Sequence, residues 1–246
     1  MLHDGWTLPA VVVVRMDHPQ PHRPPHAGAR SFRPRRRGMA PARTAAFERD
    51  APAWTVEEGG PPLDLAALFP GCDGVVLDIG FGGGEGLIAM AAAQPGQGIL
   101  GVEVHTPGVA RVVEAIVTEG WRHVRVSTAD VLDLLPRVPP GSLAGVRIWF
   151  PDPWLKQRQR HRRLVRPDVV TRLVDRLRPG GFVHVATDIA DYASEAEGVL
   201  AGEGRLAGGV IPRPEWRPLT RFEQRGLEAG RTPVDLWFTR QDGAGA

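Results

Sequence analysis

Around residue 78 the chain carries an acid and then a run of glycines, Asp78-Ile79-Gly80-Phe81-Gly82-Gly83-Gly84-Glu85-Gly86, directly after an apolar run and directly before a helical pattern. Glycines in such a place let the backbone pass close to a ligand at the end of a strand, where open α/β sheets bind nucleotides. A dinucleotide fingerprint would need G-x-G-x-x-G. From Gly80 and Gly82 the third position is Glu85, and from Gly82 and Gly84 it is Leu87, so the spacing is G-x-G-x-G instead. The carboxylate of Glu85 would also repel a pyrophosphate. Both points favour S-adenosylmethionine, which has no phosphate, over a nicotinamide dinucleotide.

Further acids fall at successive strand ends. Glu103 lies 19 residues after Gly84, where an acid accepts from ribose hydroxyls in such folds. Asp130 follows the third strand and suits the adenine amine, although as the residue before Val131-Leu132 it suits a helix N-cap equally well. Asp78 suits the methionine ammonium. The fourth strand runs into Phe150-Pro151-Asp152-Pro153-Trp154, where two prolines hold Asp152 in a stiff, non-helical turn at the cofactor edge. The same turn has a purely structural reading, and Trp154 fits either a stacking partner for a base or a cover for the sheet edge. Of the 30 Lys and Arg residues, Lys156 is the only lysine, and it stands two residues after Trp154. A compact ammonium on a flexible stem is not equivalent to a guanidinium.

The elements that must position these residues alternate short β-rich runs with helical segments, the βαβ pattern of a doubly wound, mostly parallel α/β sheet. Seven strands are predicted: Val75 to Ile79, Ile99 to Val104, Val124 to Ser127, Val146 to Phe150, Gly181 to Ala186, one near Val210, and Val234 to Thr239. The predicted helices are Glu85 to Ala93, Pro107 to Thr118, Asp130 to Leu135, Arg163 to Leu177 closed by Gly180-Gly181, and Ala190 to Ala201. Residues 204–232, dense in Gly, Pro and Arg, read as a loop insertion before the last strand. With 246 residues and 42% hydrophobic content the chain suits one α/β domain, residues 61–246. It is preceded by a disordered Pro- and His-rich extension over residues 1–29 and a basic arm with a short helix over residues 30–60.

Cys72 is the only cysteine, which excludes a disulfide framework and agrees with a cytoplasmic location. No zinc-ligand spacing, signal segment or membrane span is read. The net charge is only +2, but the positive residues are clustered. Arginines from Arg15 to Arg43 face the single acid Asp17, and Lys156 to Arg166 contains no acid. Either cluster fits a polyanion or a solvated charged face.

Taken together, Asp78 to Gly84, Gly101 to Gly108, Phe150 to Lys156, Ala186-Thr187-Asp188 and Thr220-Arg221-Phe222-Glu223 resemble the bacterial tRNA (guanine-N7)-methyltransferase family over roughly Arg30 to Arg240. The family often has His or Pro at the place of Leu155 and His at the place of Gln159. The resemblance implies a seven-stranded Rossmann-like class I methyltransferase fold. It also implies cofactor binding by Asp78, Glu103, Asp130 and Asp152 beside the glycines Gly80, Gly82 and Gly84, and substrate binding by Lys156, Asp188, Thr220, Arg221, Phe222 and Glu223. The expected partner is tRNA, methylated at guanine N7, that of the variable loop, with no membrane or metal; the oligomeric state is open, with a monomer favoured. Since N7 carries a free lone pair, no general base is needed; Asp152 would accept from the guanine donor edge and offset its growing charge, while Lys156 anchors a phosphate or a base acceptor. The alternatives are methylation of an exocyclic base amine, which also uses a Pro-flanked Asp before an aromatic, and a catalytically silent RNA-binding module.

Overall fold

Strands covered on both faces must be apolar throughout, and three here are buried at every position: β1 (Val75–Ile79), β2 (Gly98–Val102) and β4 (Leu143–Trp149). A computed structural model describes residues 38–242. The extension of residues 1–29 and the arginines Arg30 to Arg37 lie outside the described residues.

The remaining strands are β3 (Val124–Ser127), β5 (Leu177–Thr187), β6 (Leu206–Ile211) and β7 (Val234–Arg240). They form one sheet in the order β3-β2-β1-β4-β5-β7-β6, in which β7 runs antiparallel to both of its neighbours and every other pairing is parallel. Strand order reverses between β1 and β4, so the loops after these two strands diverge and leave a crevice.

Helices α3 (Glu85–Ala93) and α4 (Thr106–Glu119) cover one face, burying Leu87, Met90, Val112 and Ile116 against Ile99 and Val126. Helices α6 (Pro167–Arg176) and α7 (Ala190–Ala201) cover the other, with Val170, Leu173, Tyr192 and Leu200 packed with Leu77, Leu100 and Val146. Each such aliphatic side chain contributes about 1.5–3 kcal/mol by leaving water. The short helices α2 (Leu65–Leu68) and α5 (Val131–Leu134) lie in connections. The helix of the basic arm, α1 (Pro41–Trp54), packs on α4, and Val56 behind it donates to Val126 of β3.

Several boundaries differ from the sequence reading, β4 and β5 starting at Leu143 and Leu177 instead of residues 146 and 181, and four of the differences have a local reason. β2 stops at Val102 because the next residue, Glu103, turns its carboxylate onto backbone N–H groups. α6 starts at Pro167 rather than at residue 163, because Arg166 before the proline is extended (φ −142°, ψ 157°). Gly180-Gly181 do not close that helix. It ends at Arg176, the chain enters β5 at once, and Gly180 (φ 72°) falls where the β4–β5 register shifts. Residues 204–232 are not a plain loop: they hold β6 and a further helix, α8 (Arg221–Glu228), whose first turn is capped by the Thr220 hydroxyl accepting from Glu223 N–H at 3.2 Å.

Candidate active site

The crevice between β1 and β4 opens into a cleft of about 410 Å³, continuous with solvent. Its wall is the glycine turn, Asp78 and Gly80 to Gly83, with Glu85 to Leu87 of α3; Trp149 and Phe150 close β4's side, and Thr220 and Phe222 of α8 close the front. Gly80, Gly82 and Gly84 all have positive φ (74°, 59° and 86°), so the turn adopts a path that L side chains rarely follow. Gly108 of α4 packs on the back of this turn.

Asp78 is 3% exposed, and its Oδ2 has no hydrogen-bond partner among the described residues. Burial pushes its carboxyl up to about 6; Arg147 opposes that rise and Glu103 adds to it. An orphaned acceptor at the cleft wall, beneath a turn without side chains, fits a cationic amino-acid end such as that of S-adenosylmethionine. Glu103 is already engaged: Oε2 accepts from Gly82 N–H at 2.6 Å and Oε1 from His105 N–H at 2.8 Å. Burial still raises its pKa, against those two bonds and one from Val104. A carboxylate has about four acceptor positions, so the Gly82 and His105 N–H groups leave capacity for a ribose hydroxyl. Asp130 caps α5, accepting from Leu132 N–H at 3.0 Å, and does not line the cleft.

The Pro151-Asp152-Pro153 turn is bracketed by two non-glycine residues in the left-handed region, Phe150 (φ 53°) and Trp154 (φ 44°). Such strain persists only where the surroundings hold it, and Arg163 and the Ala186 carbonyl hold this turn from either side. The Arg163 side chain is fully buried; its Nε donates to the Pro153 carbonyl at 2.9 Å, while its two terminal nitrogens reach Glu195 (2.5 Å) and Asp191 (2.7 Å) on α7. Trp154 is 3% exposed under the Arg162 guanidinium, 4.0 Å from the ring centroid, which makes it a cover for the sheet edge and not a surface for stacking a base. Asp152 is half-buried in the loop that leaves Phe150, outside the lining of the cleft itself.

The basic run from Lys156 to Arg166 divides in two. Arg160, Arg163 and Arg166 are ion-paired with Asp191, Glu195 and Asp168, whereas Lys156, Arg158 and His161 are exposed. The segment Thr220 to Glu223 also divides. Thr220 and Phe222 line the cleft, with the Phe222 ring against Gly82, while Arg221 reaches Glu85 at 3.0 Å. Glu223 points inward, fully buried, with both oxygens held by Arg217 at 2.8 Å and Oε1 also by Arg213 at 2.7 Å. Burial raises its carboxyl, but the two arginines more than offset this and hold it below the usual range. Asp188 pairs with Arg231 at 2.7 Å and abuts Gly226 of α8.

Sequence reasoning missed the buried chain that ties this helix to the cleft. Trp149 Nε1–H donates to His184 Nδ1 at 3.0 Å, which leaves the ring proton on Nε2 facing Asp235 Oδ1 at 2.7 Å; Asp235 in turn meets Arg217. His184 titrates below its usual value, because burial outweighs Asp235. A capping-box signature, Thr220-x-x-Glu223, was the available signal for α8. Arg147, a lone charge inside an apolar strand, was another.

Residues 73–236 match a protein family described as "Putative methyltransferase". The chain is 44% identical over 217 residues to the tRNA (guanine-N(7)-)-methyltransferase of Streptomyces avermitilis, covering 86% of this chain and 75% of that one. It is 42% identical over 224 residues to the protein of the same name from Nitrosospira multiformis, covering 89% and 98%. Among solved structures, a mutant 16S rRNA (adenine(1408)-N(1))-methyltransferase with cosubstrate SAM from Catenulisporales acidiphilia aligns with a TM-score of 0.55 at 14% identity, over 74% of this chain and 92% of that one. The 16S rRNA methyltransferase KamB aligns at 0.54 and 17%, over 74% and 96%. At these identities the likeness to solved structures is one of fold, the Rossmann-like class I methyltransferase sheet.

Proposed function

We propose, from the premise that this chain belongs to the tRNA (guanine-N7)-methyltransferase family, that its target is the guanine of the tRNA variable loop and that Asp152 opposes the charge which methylation places on that base. The activity itself is S-adenosylmethionine-dependent methyl transfer to N7 of a guanine in tRNA. The observation that carries the cofactor half is the unpartnered Oδ2 of buried Asp78 under the glycine turn.

Bound S-adenosylmethionine supplies an electrophilic methyl on a sulfonium. Asp78 receives its ammonium, Gly80, Gly82 and Gly84 let the backbone lie close, and Glu103 holds the turn while offering an acceptor to the ribose. Asp130, one oxygen of which caps α5 outside the lining of the cleft, offers its other oxygen to the adenine amine. Guanine N7 needs no deprotonation, so the protein's work is alignment, exclusion of water and electrostatics. Asp152, stiffened by its two prolines and held near Arg163, accepts from the guanine's donor edge and opposes positive charge there. Lys156 and Arg158, both exposed, meet the phosphates, with Thr220, Arg221 and Phe222 at the mouth of the cleft. Glu223 and Asp188 act on the substrate through α8, which their ion pairs hold in place. The proposal further takes the protein to work in the cytoplasm, as a monomer and without a metal ion.

Nucleoside mass spectrometry of tRNA incubated with the protein and labelled cofactor tests this reading. Labelled 7-methylguanosine mapping to the variable loop is expected. Label on an exocyclic amine would replace the proposal with amine methylation, and label on a guanine elsewhere would overturn the site.

A further inference from the structure

At the centre of the sheet, where β1 and β4 are otherwise apolar, an acid and a base stand in register. Asp78 and Arg147 are direct partners in the β1–β4 ladder, and they are 3% and 2% exposed. Neither is fully satisfied. Arg147 donates from Nη2 to Gln94 Oε1 at 2.9 Å, but among the described residues its Nε and Nη1 have no hydrogen-bond partner, nor has Asp78 Oδ2. A buried guanidinium with two idle donors is unfavourable on its own, so its charge must act on something close. Arg147 does not line the cleft; Asp78 does. The guanidinium lies 5.6 Å from the ring of Trp149, which lines it as well. Arg147 is thus the ladder neighbour of Asp78 without itself lining the cleft.

Resting on the S-adenosylmethionine reading above, we propose that Arg147 is a positioning residue for cofactor binding: its buried charge keeps the Asp78 carboxylate ionised to receive the methionine ammonium. Burial alone works against that ionised form, and Glu103 works against it too. Glu85 shares the cleft wall with Asp78 and is occupied by Arg111 and Arg221, and His184, the ladder partner of Arg147 on β5, is held below its usual pKa by burial. The nearby charge of Arg147 lowers the Asp78 pKa, against burial and Glu103. With it in place, Asp78 titrates at about 6 and is ionised at neutral pH. Without it, the carboxyl protonates at higher pH and cofactor affinity falls in the neutral range.

Calorimetry between pH 5 and 7.5 tests this on ligand-free protein, with two ligands. S-adenosylmethionine carries the amino-acid end; 5′-methylthioadenosine lacks it. For the wild type, S-adenosylmethionine affinity should fall about tenfold from pH 7.5 to pH 5, as expected for one group titrating near 6. R147Q should move the midpoint up by about one pH unit or more, which makes binding about threefold weaker than wild type at pH 6.5. R147K keeps the charge and should keep the wild-type midpoint, a result that does not depend on R147Q folding. Binding of 5′-methylthioadenosine should be insensitive to both substitutions, and any pH dependence that Glu103 gives it through the ribose should be the same in all three proteins. An unmoved midpoint in R147Q, a moved one in R147K, or loss of 5′-methylthioadenosine binding in step with S-adenosylmethionine would each overturn the proposal. Failure of the wild type to bind either ligand would instead remove the cofactor reading on which it rests.

Discussion

Gly82 and Gly108 touch so closely that a methyl group added to Gly108 would stand 1.8 Å from the Gly82 carbonyl oxygen. The first turn of α4 is thus the back support of the cofactor turn, and two glycines 26 residues apart in the sequence form one structural joint.

Gly108→Ala forces that joint apart. Overpacking of this kind typically costs about 1–3 kcal/mol. Urea denaturation should report a loss in that range, and S-adenosylmethionine affinity should fall with it. Unchanged affinity in a destabilised variant would show that the turn is not braced from behind.

Glu103→Ala removes a carboxylate that holds the same turn from the side, through Gly82 N–H at 2.6 Å. Lost charged hydrogen bonds to backbone and ribose should weaken S-adenosylmethionine binding by about 1–3 kcal/mol. Calorimetry at neutral pH checks this, and wild-type affinity would refute it.

Arg163→Met leaves Asp191 and Glu195 without their buried partner and frees the Pro153 carbonyl. Because both acids are partly exposed, water reaches them, and the loss in stability should stay below the roughly 3–5 kcal/mol of a fully buried pair. Turnover should suffer more, by about 100-fold, since a displacement of about 1 Å near the reacting atoms has that effect. Cofactor affinity should be near wild type. A matching loss in both would mean that the residue supports the fold and not the Asp152 turn.

Much of the fold was legible because the strands are continuous apolar runs whose edges are marked by glycine and proline: β1, β3 and α7 are found at their observed limits. The errors arose where a side chain overrode propensity. Glu103 ended β2 early, and Gly180 served a bulge in place of a helix end. In the site, Asp78, Gly80, Gly82, Thr220 and Phe222 were read as functional and do converge on one cleft. Not legible was which of the charged residues were already occupied. Glu223, Asp188, Arg160 and Arg163 look alike on paper to Lys156 and Arg158, and only long-range pairing with residues such as Arg217, Arg231 and Asp191 separates them.

Asp152→Asn keeps the shape of the turn and removes its charge. At a separation of about 7 Å and an effective dielectric of about 20, a full charge on the guanine interacts by roughly 2.4 kcal/mol, or about 50-fold in rate, an upper figure because transition-state charge is partial. Single-turnover rates at saturating cofactor and tRNA should fall by up to that factor. Wild-type rates would reduce Asp152 to a turn former.

The central claim, that the methyl group goes to N7 of the variable-loop guanine, is met most directly by changing that one atom. A tRNA with 7-deazaguanine at the variable-loop position keeps the base's exocyclic amine and pairing edge but replaces the nucleophilic nitrogen with C–H. Binding should be retained, and transfer of labelled methyl from S-adenosylmethionine should drop to background. Transfer at the rate seen with unmodified tRNA would contradict the account.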